Sequence, residues 1–175
     1  MGKSYIGIDC GLEGGVGVVD DVGNLKCKAV MPISKAGKGR MINIIKLREL
    51  LLSFSCLNER NIFIIENPGG HAPSASGLRS MTYSFAVAET IVNLLSVEGV
   101  NLSYATVMSR KWQSEFWTRP QMAKGSKFDT KSAALAAVEK IFPNRDWTAN
   151  DRCRKAHDGI VDAVLLAEYG RRMNY

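Results

Sequence analysis

Residues 5–20 read YIGIDCGLEGGVGVVD. Alternating apolar and β-branched residues predict two strands, 4–10 and 14–20, joined by a tight turn at Gly11 to Gly15. The first run ends in Asp9. A carboxylate at the end of an apolar strand carries a desolvation penalty unless something neutralises it. Two partners suit it: the backbone N–H groups of the turn, which Asp caps well, and a divalent cation. This stretch alone leaves both open, and the other acids of the chain decide.

Beyond it, a turn at 22–24 and the alternation of LKCKAVM at 25–31 predict a third strand, hence a β-meander. Pro32 to Arg40 (PISKAGKGR) reads as a polar loop, and 41–58 as a helix with a broad apolar stripe. Ile62 to Ile65 (IFII) is a short continuous apolar run, the pattern of a strand covered on both faces. It ends in Glu66, and Asn67-Pro68-Gly69-Gly70 stops it. A second acid thus lies at the C-terminal end of a buried strand, where α/β sheets place their sites. Leu78 to Val97 is helical. Its row of Ser80, Ser84 and Ala88 serves either packing on the sheet or a self-association face. A strand at 101–106, a short helix at 109–117 whose Trp112, Phe116 and Trp117 are core candidates, and a basic loop at 118–128 follow. Helices at 129–141 and 157–172 flank a polar, basic linker at 144–156.

The last helix begins HDGIVDAV. Asp158 and Asp162 are four residues apart, so they fall about 40° apart on one face and about 6 Å apart along the axis. The strand order then matters. A crossover helix lets the first and fourth strands lie side by side in parallel. Asp9 and Glu66 become neighbours at one sheet edge, and a helix packed across that face brings Asp158 and Asp162 opposite them. Four acids around one point stay ionised only with cations among them. An all-oxygen donor set suits Mg²⁺ or Mn²⁺. Two such ions are the usual device for phosphodiester hydrolysis.

The charge balance agrees. Lys and Arg number 23 against 17 Asp and Glu, a net charge of +6, which suits a polyanionic partner. Arg110, Lys111, Arg119, Lys124, Lys127 and Lys131 form one basic stretch; Arg145, Arg152, Arg154 and Lys155 form another. The four cysteines, Cys10, Cys27, Cys56 and Cys153, make no C-x-x-C pair, which argues against zinc-ribbon and redox motifs. No apolar run reaches the about 18 residues of a membrane span. No signal-like segment opens the sequence. The expected setting is the cytoplasm, and the 175 residues are expected to form one domain, 1–175.

The three stretches IGIDCGLEGGVGVVD (6–20), IFIIENPGG (62–70) and HDGIVDAVLLAEYGRR (157–172), with RKWQ at 110–113 and DTKSAALAAVEKIFP at 129–143, resemble the RuvC-type Holliday junction resolvases of the ribonuclease H-like superfamily, particularly bacteriophage versions. The resemblance implies an α/β ribonuclease H-like fold: a mixed five-stranded sheet, a three-strand meander plus two parallel strands, flanked by helices. It implies metal-binding, catalytic roles for Asp9, Glu66, Asp158 and Asp162, with His157 competing with Asp158 as fourth ligand or proton shuttle. It implies DNA-contacting or transition-state-stabilising roles for Lys111 and Lys131, the latter an auxiliary catalytic candidate beside His157, and the basic stretch adds Arg110, Lys124 and Lys127 as DNA contacts. Its further implications are two Mg²⁺ or Mn²⁺ ions per site, a homodimer paired through the 78–97 helix, four-way DNA junctions as substrate, and a host-cell cytoplasm if the gene is phage-borne.

Three other readings compete. A sugar-kinase or Hsp70-like ATPase shares the first motif, but needs two such domains and a second glycine hairpin, for which the chain is too short. A ribonuclease H-like nuclease acting on flaps or RNA–DNA hybrid shares the acids. A DNA-binding module without catalysis gives the acids no purpose.

Overall fold

In the computed structural model the described residues are 2–37, 39–56, 58–69, 74–118 and 128–175. β1 (Lys3–Asp9), β2 (Gly15–Asp20) and β3 (Leu25–Val30) form the expected antiparallel meander. The segment 32–42, read as a loop running into a helix, is instead a hairpin of its own, β4 (Ile33–Ala36) and β5 (Gly39–Ile42). Its strands are too short and too polar for an alternation signal. α1 (Ile44–Phe54) therefore starts later than the periodicity suggests, behind Asn43, whose side chain accepts the Lys46 N–H at 3.1 Å. That bond satisfies one of the N–H groups orphaned at a helix start.

β6 (Arg60–Asn67), α2 (Ala75–Val97), β7 (Leu102–Met108), α3 (Ser109–Phe116), α4 (Thr130–Ile141) and α5 (Asp158–Arg172) complete the chain. The sheet runs β3-β2-β1-β6-β7, with β1, β6 and β7 parallel. This is the mixed five-stranded sheet expected from the sequence. Among the described residues, no helix is long and apolar enough to cross a membrane.

Side chains alternate across a strand, so each sheet face has its own core. Ile6, Ile8, Val16, Val18, Phe63 and Ile65 pack with Leu47 and Leu51 of α1 and Ile91, Val92 and Leu95 of α2. Ser84 and Ala88 are buried here too. Two of the three residues of the small row thus serve packing inside the chain, while Ser80 is half-buried. On the opposite face, Tyr5, Val19, Ile62, Ile64 and Val107 pack with Trp112, Val138 and the apolar side of α5. Trp147 joins this second core at 4% exposure, and Thr148 bridges to Ala156, so the 144–156 linker is partly structural.

α5 sits on β1 and β2 in backbone contact. Gly7 and Gly17 face each other across the two strands. A Cβ on Gly7 would lie 2.0 Å from the Ala163 carbonyl oxygen, and one on Gly17 2.5 Å from a Val164 methyl. At the other end, a Cβ on Gly159 would lie 2.2 Å from the Glu13 carbonyl oxygen. Isolated glycines in strands mark such close approaches.

Gly7→Ala should therefore cost about 3 kcal/mol or more, because backbone cannot move aside as a side chain can. Gly99→Ala, at φ +91° with nothing within 4 Å, should cost only about 1–2 kcal/mol of left-handed strain. Urea midpoints compare the two. A Gly7→Ala cost no larger than that of Gly99→Ala would show that α5 is not seated on bare backbone.

Candidate active site

Asp9 shares a face of β1 with Tyr5 and Gly7, the face that α5 covers. The β1–β6 register pairs Ile8 with Ile65, so Glu66 follows one step along, beside Asp9. Both line a cavity of about 100 Å³ with Cys10, Gly11, Pro68, Met81 and Ser109. Asp9 Oδ1 accepts the Gly11 N–H at 3.0 Å, so it does cap its turn, as one of the two sequence readings had it. One oxygen remains for other work.

Ser109 was not singled out from the sequence. The β6–β7 register sets Glu66 against Val107 and Asn67 against Met108, which places Ser109 at the first position of α3. Its hydroxyl donates to Glu66 Oε1. α3 has no side-chain cap, and the one hydroxyl at its start is directed to this acid instead. The Trp112 indole also faces Glu66 and helps hold its pKa down, although its buried N–H makes no hydrogen bond of normal geometry.

Asp158 and Asp162 line a wider cavity, about 380 Å³, together with residues of α4 and the 154–156 segment. Their four-residue spacing puts them on one helical face, as the periodicity required. Lys131, Arg154 and Lys155 line the same cavity. Lys131 Nζ forms an ion pair with Asp158, the two side chains being 74% and 48% exposed, so the pair adds little to stability. It marks the place where a cation is wanted. Asp129 caps α4 and accepts the backbone N–H groups of Lys131 and Ser132 at 3.1 Å each, which fixes the root of that lysine. His157 caps α5, its Nδ1 accepting the Ile160 N–H at 3.3 Å. The cap does not engage the other ring nitrogen, Nε2, so it does not separate His157 from Asp158 as fourth donor.

The acids sense one another. Burial is the main cause that pushes Glu66 up to about 7, with the charge of Asp9 adding to it. Burial likewise pushes Asp162 up to about 8, with Asp9, Glu66 and Asp158 all raising it and Lys131 opposing. Asp9 is also raised, first by burial and then by Asp158, against the Gly11 N–H and the nearby His157. Like charges that act on each other in this way share one electrostatic neighbourhood. They do not yet close on one point: among the described residues, no three His, Cys, Asp or Glu side chains stand close enough to enclose an ion. The donor chemistry, an all-carboxylate set of which Asp9, Glu66 and Asp162 are buried acids raised in pKa, fits a hard divalent cation.

Of the basic candidates, Arg110 and Lys111 are exposed on α3. Arg110 lines a cavity of about 410 Å³ with Gln113, Ser114, Trp117 and Thr118. Trp112 is fully buried and meets Phe116 and Trp117 edge-on, so the aromatics are core, as expected. Lys124 and Lys127 lie outside the described residues.

No protein-family model matches the chain, and no curated protein matches it in sequence. Solved structures do match in shape. RuvC of T. thermophilus in complex with a Holliday junction substrate superposes with a TM-score of 0.58 at 11% identity, over 98% of this chain and 96% of that one. A second Thermus thermophilus RuvC structure gives 0.55 at 15% identity with the same coverage. At such identities the likeness speaks for the fold alone: this chain has the RuvC, ribonuclease H-like fold.

The raised acids have a consequence for stability. A carboxyl group whose folded pKa exceeds its unfolded value stabilises fully below the unfolded value, and this contribution drains away as pH climbs through the folded one. For Glu66 and Asp162 that window runs from the ordinary values of 4.5 and 3.8 up to about 7 and about 8. In EDTA, the thermal midpoint of Asp162→Asn relative to wild type should therefore rise steadily between about pH 5 and pH 8. A difference that stays flat or falls across the window would place Asp162 outside the cluster.

Proposed function

We propose that this chain is a metal-dependent, structure-selective endonuclease that cuts four-way DNA junctions by phosphodiester hydrolysis. The observation that carries the reading is the placement of Asp9 beside Glu66 on adjacent parallel strands, lining one cavity, with Asp162 of α5 near enough for both to raise its pKa, in a RuvC-like fold. No structural role accounts for gathering acids whose ionisation the fold opposes.

Asp9, Glu66, Asp158 and Asp162 would hold Mg²⁺ or Mn²⁺. Such ions, when bound, lower the pKa of water and neutralise charge on a phosphodiester. The protein does the rest. Ser109 fixes one Glu66 oxygen and so orients the other. The Asp9 turn anchors a carboxylate in line with it. Lys131 neutralises Asp158 and stands ready to meet a phosphate oxygen, while Arg110 and Lys111 offer further phosphate contacts from α3. A site that gathers acids repels a polyanion on approach, so these flanking cations are what permit binding.

Symmetric cutting of a junction calls for two copies, so a homodimer belongs to the proposal. Ser84 and Ala88 of the small-residue row are taken up inside the chain. The outward side of α2 with α1 is the remaining apolar surface there: Tyr83, Leu94 and Ile44 are 40%, 46% and 50% exposed.

A nicking assay tests the reading. Four-way junction, Y-fork, linear duplex and RNA–DNA hybrid are compared with Mg²⁺ and with EDTA. Asp9→Asn and Glu66→Gln should each lower junction cleavage by about a thousandfold or more while binding survives, since phosphate contacts come from other residues. Ser109→Ala should cost about tenfold through loss of Glu66 orientation. Preferential cleavage of the hybrid would replace the junction reading with a ribonuclease H-like one, and wild-type rates in the acid variants would sink the site.

A further inference from the structure

The β4–β5 hairpin is not explained by the fold. Lys35 and Arg40 are directly opposite one another in its register, and both are exposed. Like charges facing across an antiparallel pair destabilise it. The host is poorly placed to absorb that cost, because a two-stranded sheet on its own is marginal in water. Each strand has only four residues. An anion lying across both cations would relieve that repulsion.

The hairpin is nevertheless held in a fixed place. Ile42 and Met31 are buried at its root, and the Asn43 N–H closes that root on the Pro32 carbonyl at 2.8 Å. Further out, Arg40 forms an ion pair with Glu13. Glu13 belongs to the turn that Asp9 caps: Gly11 N–H bonds Asp9 Oδ1, Gly14 N–H bonds the Gly11 carbonyl at 2.8 Å, and Met31 N–H bonds the Gly14 carbonyl at 3.0 Å. The arm is thereby tied to the edge of the sheet where the acids lie. Glu13 offsets one of the two cations. Lys35 makes no ion pair among the described residues.

We propose that this hairpin is a phosphate-gripping arm: Lys35, with Arg40 beside it, binds the sugar–phosphate backbone of the nucleic acid strand presented to Asp9 and Glu66. The proposal rests on the nuclease reading above and adds to it a contact surface outside both basic stretches of the sequence. The ligand class is a polyanionic phosphodiester backbone, met without base readout.

Charge variants separate this role from a structural one, because the two effects have opposite signs. Lys35→Gln removes the repulsion, and Lys35→Glu replaces it with attraction to Arg40. Neither should lower the thermal midpoint, and Lys35→Glu should raise it. Affinity for a four-way junction should fall, roughly fivefold for Lys35→Gln near 0.15 M salt, and the slope of log affinity against log salt should drop by about one. Lys35→Glu should bind more weakly still. If the wild type binds the junction and both variants match it in affinity and slope, the arm is overturned while the nuclease reading stands. If the wild type itself binds no branched DNA in a salt-dependent way, the functional reading fails and the arm falls with it.

Discussion

Everything in this molecule depends on how closely α5 lies on β1 and β2. Helices ordinarily rest on a sheet through a layer of side chains, about 10 Å away. Here Gly7, Gly15 and Gly17 strip that layer from the strands, and Gly159 strips it from the helix. The N-terminal turn of α5 then meets the Gly11–Gly15 turn directly. Asp158 and Asp162 are thereby brought to the same sheet edge as Asp9. With ordinary side chains at these positions the helix would ride higher and the acids would separate. Close approach of backbone is thus the condition of the site, and glycine is the means.

The cost appears in the protonation of the acids. Glu66 and Asp162 are pushed up to about 7 and about 8, first by burial and then by neighbouring acids, Asp9 acting on both, which is an unfavourable arrangement for the protein without a cation. A fold under selection for stability alone would put apolar residues there, or would pair the acids as it pairs Glu168. That acid is 1% exposed on the same helix, and burial works against its charge, but hydrogen bonds from Arg171 and Arg172 outweigh it and hold its pKa down. The contrast is between a buried acid whose charge two arginines hold and three acids, Asp9, Glu66 and Asp162, that burial pushes up; perturbed acids of the second kind cluster at functional sites.

Much of this was legible in the sequence because it rests on period and punctuation. The meander, the crossover through α1 and the parallel β6 follow from alternation, an apolar run and the acids that end each strand. The four-residue spacing of Asp158 and Asp162 was enough to place them on one face. The hairpin at 33–42 was not legible, since ISKAGKGRMI carries no apolar alternation and its pairing depends on being tied down at Ile42 and Glu13. The role of Ser109 depends on the β6–β7 register, which no local pattern encodes. The glycines had a signal that was only partly used: Gly7 and Gly17 interrupt strands where a side chain should pack, and an unfilled position in a buried strand implies that something else fills it. The small row of α2 gave two equal readings, and Ser84 and Ala88 turn out to pack inside the chain.

The central claim is that Asp9, Glu66 and Asp162 close around divalent metal. Crystals grown with Mn²⁺ and measured near the manganese absorption edge test it most directly. Anomalous density bounded by carboxylate oxygens of these three residues, with Asp158 alongside, is the expected result. Density absent from that cup at a Mn²⁺ concentration that supports nicking, or present only elsewhere on the protein, would contradict it.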